Sequence, residues 1–319
     1  MRPRSPAKFV ISIDLEMSWG AVHHGRPHRT RPYESERQVV RELLDLMETH
    51  GISATWAIVG HLFLSSCSSG EEGKHPEIRR PQYPWHPSDW YDLDPASTIS
   101  NDPTWYGSDL VEMIRGCSVD QEIGSHSFGH LIAGDPHCDA AAFESDLEAS
   151  INAAKAVGVT LSSYVYPRNS IGHLKLLERH GFTAYRGAPS DHDSDHTPIR
   201  RIFESVARVV SPARHRPQHA QRHGQLVNVP QTYLFDPDST TANRLGSKLW
   251  SALVKRQLEG ALRTGSLFHI WFHTHNLASN PDRSFRALDD LFAAAGTAVD
   301  DGWLENLTMA EVADRVTSP

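Results

Sequence analysis

The strongest constraint on this chain is an alternation: short apolar runs, each followed by a stretch of helical periodicity, recur through most of the sequence. Residues 9–14 read as a buried strand. Glu36–His50 then sets Val39, Val40, Leu43, Leu44, Leu46 and Met47 on one helical face, and Gly51 stops the helix. Further strands are expected at 52–59, 122–124, 163–166, 181–185, 226–229, 267–272 and 303–307. Helices are expected at 110–115, 138–157, 171–180, 241–264 and 284–295, with a last one opening on a capping box, Thr308 and Glu311. Six or more β-then-α units without a break in composition predict one barrel-like parallel α/β domain over residues 1–319, a length that single α/β barrels reach. Two long loop insertions interrupt the pattern. Residues 61–106 carry Tyr83, Trp85, Trp90, Tyr91 and Trp105, enough aromatic surface to be ordered; residues 189–225, rich in His, Arg, Asp and Pro, read as a solvated loop.

Charge and cysteine usage exclude several classes. Lys and Arg number 31 against 39 Asp and Glu, a net charge of -8 with no basic stripe, which argues against nucleic acid or an anionic membrane as partner. No run approaches the roughly 18 apolar residues of a membrane span. The basic N-terminus leads only into Phe9-Val10-Ile11, short of the about 7–15 apolar residues of a signal peptide, so a cytoplasmic location is expected. Cys67, Cys117 and Cys138 are odd in number and lack C-x-x-C spacing, which argues against a disulfide scaffold or a cysteine zinc site.

Histidine is the outlier, with 20 residues. At that density H-x-x-x-H arises by chance roughly once, yet it occurs at 24/28, 126/130, 192/196, 215/219, 219/223 and 269/273. Context separates these pairs. His126 and His130 directly follow a strand, where two imidazoles four apart can face one metal ion; the pairs between His192 and His223 sit among Arg, Pro and Asp as surface loop. Three other strand exits also carry chemistry: Asp14 and Glu16 after the first, Arg168 and Asn169 after Tyr166-Pro167, and His273, His275 and Asn276 after the run that ends at Phe272. His269 reads as inward-facing packing or as a support behind the site residues. In a parallel barrel these exits share one rim, where active sites are built. Together they supply carboxylates, imidazoles and a guanidinium, the parts of a metal site with a general base and acid.

These residues resemble the polysaccharide deacetylase family, the NodB-homology group of carbohydrate esterase family 4. Ser125-His126-Ser127-Phe128-Gly129-His130 matches its H-[ST]-x-x-H metal motif, and Asp14-Leu15-Glu16 resembles its D-x-D motif with Glu in the second place. Pro167-Arg168-Asn169 resembles its arginine motif with Arg after Pro, His273 the histidine of its last motif, and residues 54–60 its second strand. The resemblance implies a distorted (β/α) barrel of about seven parallel strands and removal of acetyl groups from sugars. It further implies one divalent metal on Glu16, His126 and His130, zinc by preference, with iron, manganese or cobalt also suited to two histidines and a carboxylate. Asp14 would be the base for water, Arg168 would orient Asp14, and His273 would protonate the leaving amine. Trp19, Asn169, His275 and Asn276 are the expected substrate-binding residues, Asn276 also as a support for His273, with His61 a further rim group. The expected substrate is an acetylated sugar, free, as a sugar nucleotide or lipid-linked; Arg200, Arg201, Arg208 and Arg214 would grip its phosphate, though a solvated loop is the plainer reading. Two alternatives remain: hydrolysis of a cyclic amide or ureide on the same fold, and a barrel that binds saccharide without turnover.

Overall fold

A computed structural model describes residues 5–25, 33–189, 217–237, 239 and 246–317. Strand β1 (Ala7–Leu15) leads to α1 (Glu36–His50) and β2 (Thr55–Ile58). The first insertion follows, carrying the small hairpin β3 (Ser69–Gly70) and β4 (Gly73–Lys74). Next come α2 (Ser108–Arg115), β5 (Glu122–Ser125), α3 (Ala140–Ala156), β6 (Ser163–Val165), α4 (Leu174–Arg179) and β7 (Ala184–Arg186). The C-terminal third holds β8 (Gln221–His223), β9 (Leu226–Asn228), β10 (Tyr233–Leu234), α5 (Ser247–Thr264) and β11 (Leu267–His273). It ends in α6 (Thr274–Ser279), α7 (Pro281–Asp300), β12 (Leu304–Asn306) and α8 (Met309–Thr317).

The main sheet runs β10-β11-β1-β2-β5-β6-β7-β9-β8, parallel except for β8 on β9, with β12 added beside the start of β1. Its two ends meet through one stretch of chain. Val229 and Gln231 donate backbone N–H to Tyr185 on β7 and Gly187 just beyond it, while Thr232 and Phe235 donate to His269 and Trp271 on β11. β9 and β10 are thus two halves of one stave, and seven parallel staves close a distorted barrel, the architecture expected from the sequence.

Alternation along β1 explains how the site is placed. Phe9, Ile11, Ile13 and Leu15 are buried in the main apolar core with side chains of α1, α5 and α7, each burial worth roughly 1.5–3 kcal/mol. The intervening Val10, Ser12 and Asp14 face inward. Val10 joins Ala57, Val165, Ala184, Val227 and Leu267 in a small second core, and α8, whose Met309 N–H donates to Thr55 Oγ1, packs at that end. Apolar packing fills the barrel floor, and polarity rises toward the strand exits. The capping box forms as expected, Thr308 N–H on Glu311 Oε2 and Glu311 N–H on Thr308 Oγ1.

The sequence reading needs three corrections. Residues 217–225, expected as loop, contain edge strand β8 and a bridge from Gln218 to Leu267. The chain after β11 turns directly into α6, and β3, β4 and β10 went unexpected. Arg200, Arg201, Arg208 and Arg214, the histidines at 192, 196 and 215, and the first residues of the 241–264 helix lie outside the described residues. No helix among the described residues is long and apolar enough to cross a membrane.

Candidate active site

Asp14 ends the inner face of β1, and the parallel register sets it beside His273 at the end of β11. Past β1 the backbone turns at Met17, with φ 47°, and the Glu16 side chain folds back over the barrel mouth. Gly20 permits this: a Cβ there would lie 2.1 Å from Glu16 Oε2. Any side chain at 20 would displace the carboxylate.

His126 and His130 sit on the loop after β5. Ser127 and His130 hold φ of 67° and 61°, conformations that cost a non-glycine residue about 1–3 kcal/mol. Asp146, buried on α3, holds this loop. It accepts from Ser127 Oγ at 2.8 Å and from the N–H groups of Phe128 and Gly129 at 2.9 and 3.0 Å, and Leu131 N–H closes the turn on Ser127 Oγ. As a result Nε2 of both histidines lies 3.1 Å from Glu16 Oε1.

That arrangement fits a metal ion. His126 Nδ1 donates to the Val165 carbonyl at 2.8 Å, which leaves Nε2 with a lone pair aimed at a carboxylate oxygen. An acceptor facing an acceptor in a buried site needs a cation or a proton between them. Glu16, His126 and His130 offer three donor atoms within 4.8 Å of one another, the two-imidazole, one-carboxylate set of open metal sites. Burial would raise the Glu16 carboxyl, but His273 and His130, with the imidazole hydrogen bonds, hold it well below the usual range.

Asp14 is held by a different arginine from the one expected. Arg186, the last residue of β7, grips it in a bidentate pair, Nη1 on Oδ1 at 2.6 Å and Nη2 on Oδ2 at 2.7 Å, both side chains buried. Its guanidinium also lies 4.3 Å over the Trp271 ring and reaches Ser12 Oγ at 3.0 Å and Asn169 Oδ1 at 3.3 Å. Burial pushes the Asp14 carboxyl up, and the Arg186 charge, with His126 and His273, more than reverses this. Arg168 stands on a turn with φ 55°, exposed to solvent. Arg186, not Arg168, is thus the arginine that contacts Asp14, and Asn169 contacts its guanidinium.

His273 lies opposite, Nε2 3.4 Å from Glu16 Oε1 and 3.7 Å from Asp14 Oδ2. Asn276 Oδ1 accepts from its backbone N–H and from Nδ1 at 3.0 Å, so Asn276 caps α6 and aims the ring, the supporting role expected of it. Burial would lower the His273 pKa; Glu16 and Asp14 outweigh it and bring it up to about 9. The His275 ring is 4.8 Å from His273 and buried. Trp19 is also corrected. It is fully buried, donates to the Trp105 carbonyl and packs on His61, so it supports the wall and offers no open face to a sugar. Trp90 likewise is buried and donates to the Gly129 carbonyl in the histidine loop, whereas Trp85 stays 44% exposed. The first insertion is an ordered buttress.

Sequence reasoning missed Arg186, Asp146 and Ser12. Arg186 directly follows the expected strand 181–185, where the strand-exit rule that located His273 would have found it. His269 Nδ1 donates to the Val229 carbonyl, and Nε2 accepts from Ser12, whose oxygen accepts from Arg186. Burial, with the Arg186 charge, drops the His269 pKa from 6.5 to about 3. Below pH 6.5 the unfolded chain therefore binds a proton there that the folded chain refuses, and stability falls with pH. At pH 5 this one group is expected to cost roughly 2 kcal/mol. Urea unfolding at pH 7 and pH 5 should show that His269→Gln loses less stability on acidification than the wild type by about that amount; equal losses would refute it.

No family model and no curated protein matches the chain. Solved structures do. A protein described as a polysaccharide deacetylase from Mycobacterium smegmatis superposes with TM-score 0.60 at 18% identity, covering 99% of this chain and 94% of its own. Puue allantoinase gives 0.56 at 13%, covering 98% and 91%. A protein described as a polysaccharide deacetylase from Pseudomonas aeruginosa PAO1 gives 0.55 at 13%, covering 96% and 89%. The chain has the polysaccharide-deacetylase fold, shared with an allantoinase.

Proposed function

We propose that this protein is a metal-dependent hydrolase that removes an N-acetyl group from a small or carrier-linked saccharide inside the cell. One observation carries the reading: Glu16, His126 and His130 converge at the barrel mouth, flanked by an arginine-held carboxylate and a carboxylate-held imidazole. Glu16, His126 and His130 would hold a divalent cation, preferably zinc, which when bound would supply Lewis-acid polarisation and a water nucleophilic near neutral pH.

The chain's own residues move the protons. Asp14, kept ionised by Arg186, accepts the proton of the attacking water at its carboxylate. His273, whose Nε2 faces Asp14 and Glu16, is placed to deliver a proton from that nitrogen to the departing one, without which an amide C–N bond breaks poorly. Asn276 keeps that nitrogen pointed at the mouth. A second reading rests on the allantoinase of the same fold: opening of a cyclic amide or ureide would use the same base and acid and release no acetate.

Acetate release separates the two. Zinc-loaded protein is expected to release acetate from N-acetylated sugars, to stop on chelation and to resume when metal is restored. His126→Ala should lose one equivalent of metal per chain together with the activity. Ring opening without acetate would favour the second reading, and unchanged metal content in His126→Ala would overturn the site.

A further inference from the structure

A second cluster of metal-ligating side chains lies in the first insertion, apart from the barrel mouth. His61, Cys67, His75 and Asp94 each present a donor atom, and the four atoms lie within 4.8 Å of one another. Asp94 Oδ2 is the hub: His75 Nε2 stands at 3.0 Å, Cys67 Sγ at 3.3 Å and His61 Nε2 at 3.4 Å. Zinc bonds of 2.0–2.3 Å in a tetrahedron set donor atoms about 3.3–3.8 Å apart. The three distances to Asp94 Oδ2 lie near that range, and the remaining donor pairs lie within 4.8 Å.

His61 supplies an independent sign. It is fully buried, and its Nδ1 donates to the Trp105 carbonyl at 3.2 Å. Nε2 is therefore the lone-pair nitrogen, and it has no hydrogen-bond partner although it points at the Asp94 carboxylate. As at the barrel mouth, an acceptor is buried against an acceptor, a costly state that a cation or a proton between them removes.

The groups behind these donors suit the same purpose. Ala96 N–H occupies Asp94 Oδ1 at 2.9 Å, which leaves Oδ2 for the cluster. Tyr106 OH accepts from Ser97 N–H at 2.7 Å and lies 3.2 Å from Cys67 Sγ, so its own proton is free to support a thiolate. Second hydrogen bonds of this kind orient metal ligands. The cysteine spacing alone argued against a cysteine zinc site, but a mixed set with one cysteine needs no C-x-x-C.

We propose that His61, Cys67, His75 and Asp94 form a closed, structural zinc(II) site that staples the first insertion to the barrel. Four protein ligands leave no open position for a substrate, in contrast to the three at the mouth. The chain between Cys67 and His75 is the β3–β4 hairpin, and the span from His61 to Asp94 has little other regular structure, so metal bonds would add to the core contacts of Leu62, Phe63, Ile78, Tyr83, Trp90 and Tyr91. The staple also reaches the active site's wall. His61 packs on Trp19 with ring centroids 4.5 Å apart, and Trp90 from the same insertion holds the Gly129 carbonyl of the histidine loop.

Cobalt reads this site separately, because thiolate-to-cobalt charge transfer in the near ultraviolet requires a sulfur ligand and the mouth has none. Full-length protein reconstituted with Co(II) is expected to bind two equivalents and to show that band. The double variant Glu16→Ala/His126→Ala should keep one equivalent and the full band. Cys67→Ser should lose the band, while Cys117→Ala and Cys138→Ala keep it. A wild-type protein that binds cobalt without the band overturns the proposal whether or not Cys67→Ser folds, as does a band that vanishes in the mouth variant or survives in Cys67→Ser. The band is independent of turnover, so failure of the deacetylase reading would leave it unchanged.

Discussion

Asp14→Asn is expected to lower kcat for acetate release by roughly 10²–10⁴-fold, the usual contribution of a positioned base, while the mouth retains its metal. The substitution keeps the size of the side chain and one acceptor for Arg186 but removes the proton-accepting charge. It also leaves Arg186 buried without its counter-ion, and breaking a buried pair costs roughly 3–5 kcal/mol. Against a typical total of about 5–15 kcal/mol the protein should stay folded but be measurably less stable. Activity must therefore be referred to folded protein, by parallel urea unfolding and metal analysis. Because Asp14 lies outside the Glu16, His126 and His130 set, metal content separates loss of the base from loss of the site. A kcat near that of the wild type in folded, metal-loaded Asp14→Asn would remove Asp14 from the reaction.

The residues that sequence reasoning located best share one property: their position is set by a strand end. Helix Glu36–His50 was legible at both ends because its apolar face is clean and Gly51 takes the left-handed cap, φ 63°. Asp14, Glu16, His126, His130 and His273 were legible as a group because parallel strands bring their exits to one rim, whatever the details of packing. A strand exit gives a place on the rim and no direction, however. Arg168 leaves its strand through a turn at φ 55° that sends it to solvent, and Trp19 turns inward to the first insertion. Asp146 was illegible for another reason. It lies within a helix as an ordinary polar residue, and only the fold brings it beneath the loop it holds. The His61, Cys67, His75 and Asp94 cluster has no period at all, since an irregular insertion brings its members together.

Arg186 and Arg168 give the sharpest contrast between the two readings. Arg186→Met is expected to destabilise the fold by roughly 3–5 kcal/mol, because it strands a buried carboxylate. Arg168→Ala, a change at an exposed turn, should stay within about 0.5 kcal/mol. Their pH profiles should differ as well. Burial alone raises the Asp14 carboxyl, and the Arg186 charge is the largest influence against it. Without that charge Asp14 holds its proton to higher pH, so the acid limb of the kcat/KM profile should move upward in Arg186→Met. Arg186→Lys keeps a cation but not the two-pronged grip and is expected to fall between wild type and Met, with the acid limb moved less. Arg168→Ala should leave the limb in place. A generic loss of packing would lower the amount of active protein without moving that limb, so the shift reads the electrostatic role itself. If Arg168→Ala moved it and Arg186→Met did not, the base would answer to the exposed arginine, and the geometry of the buried pair would have no part in catalysis.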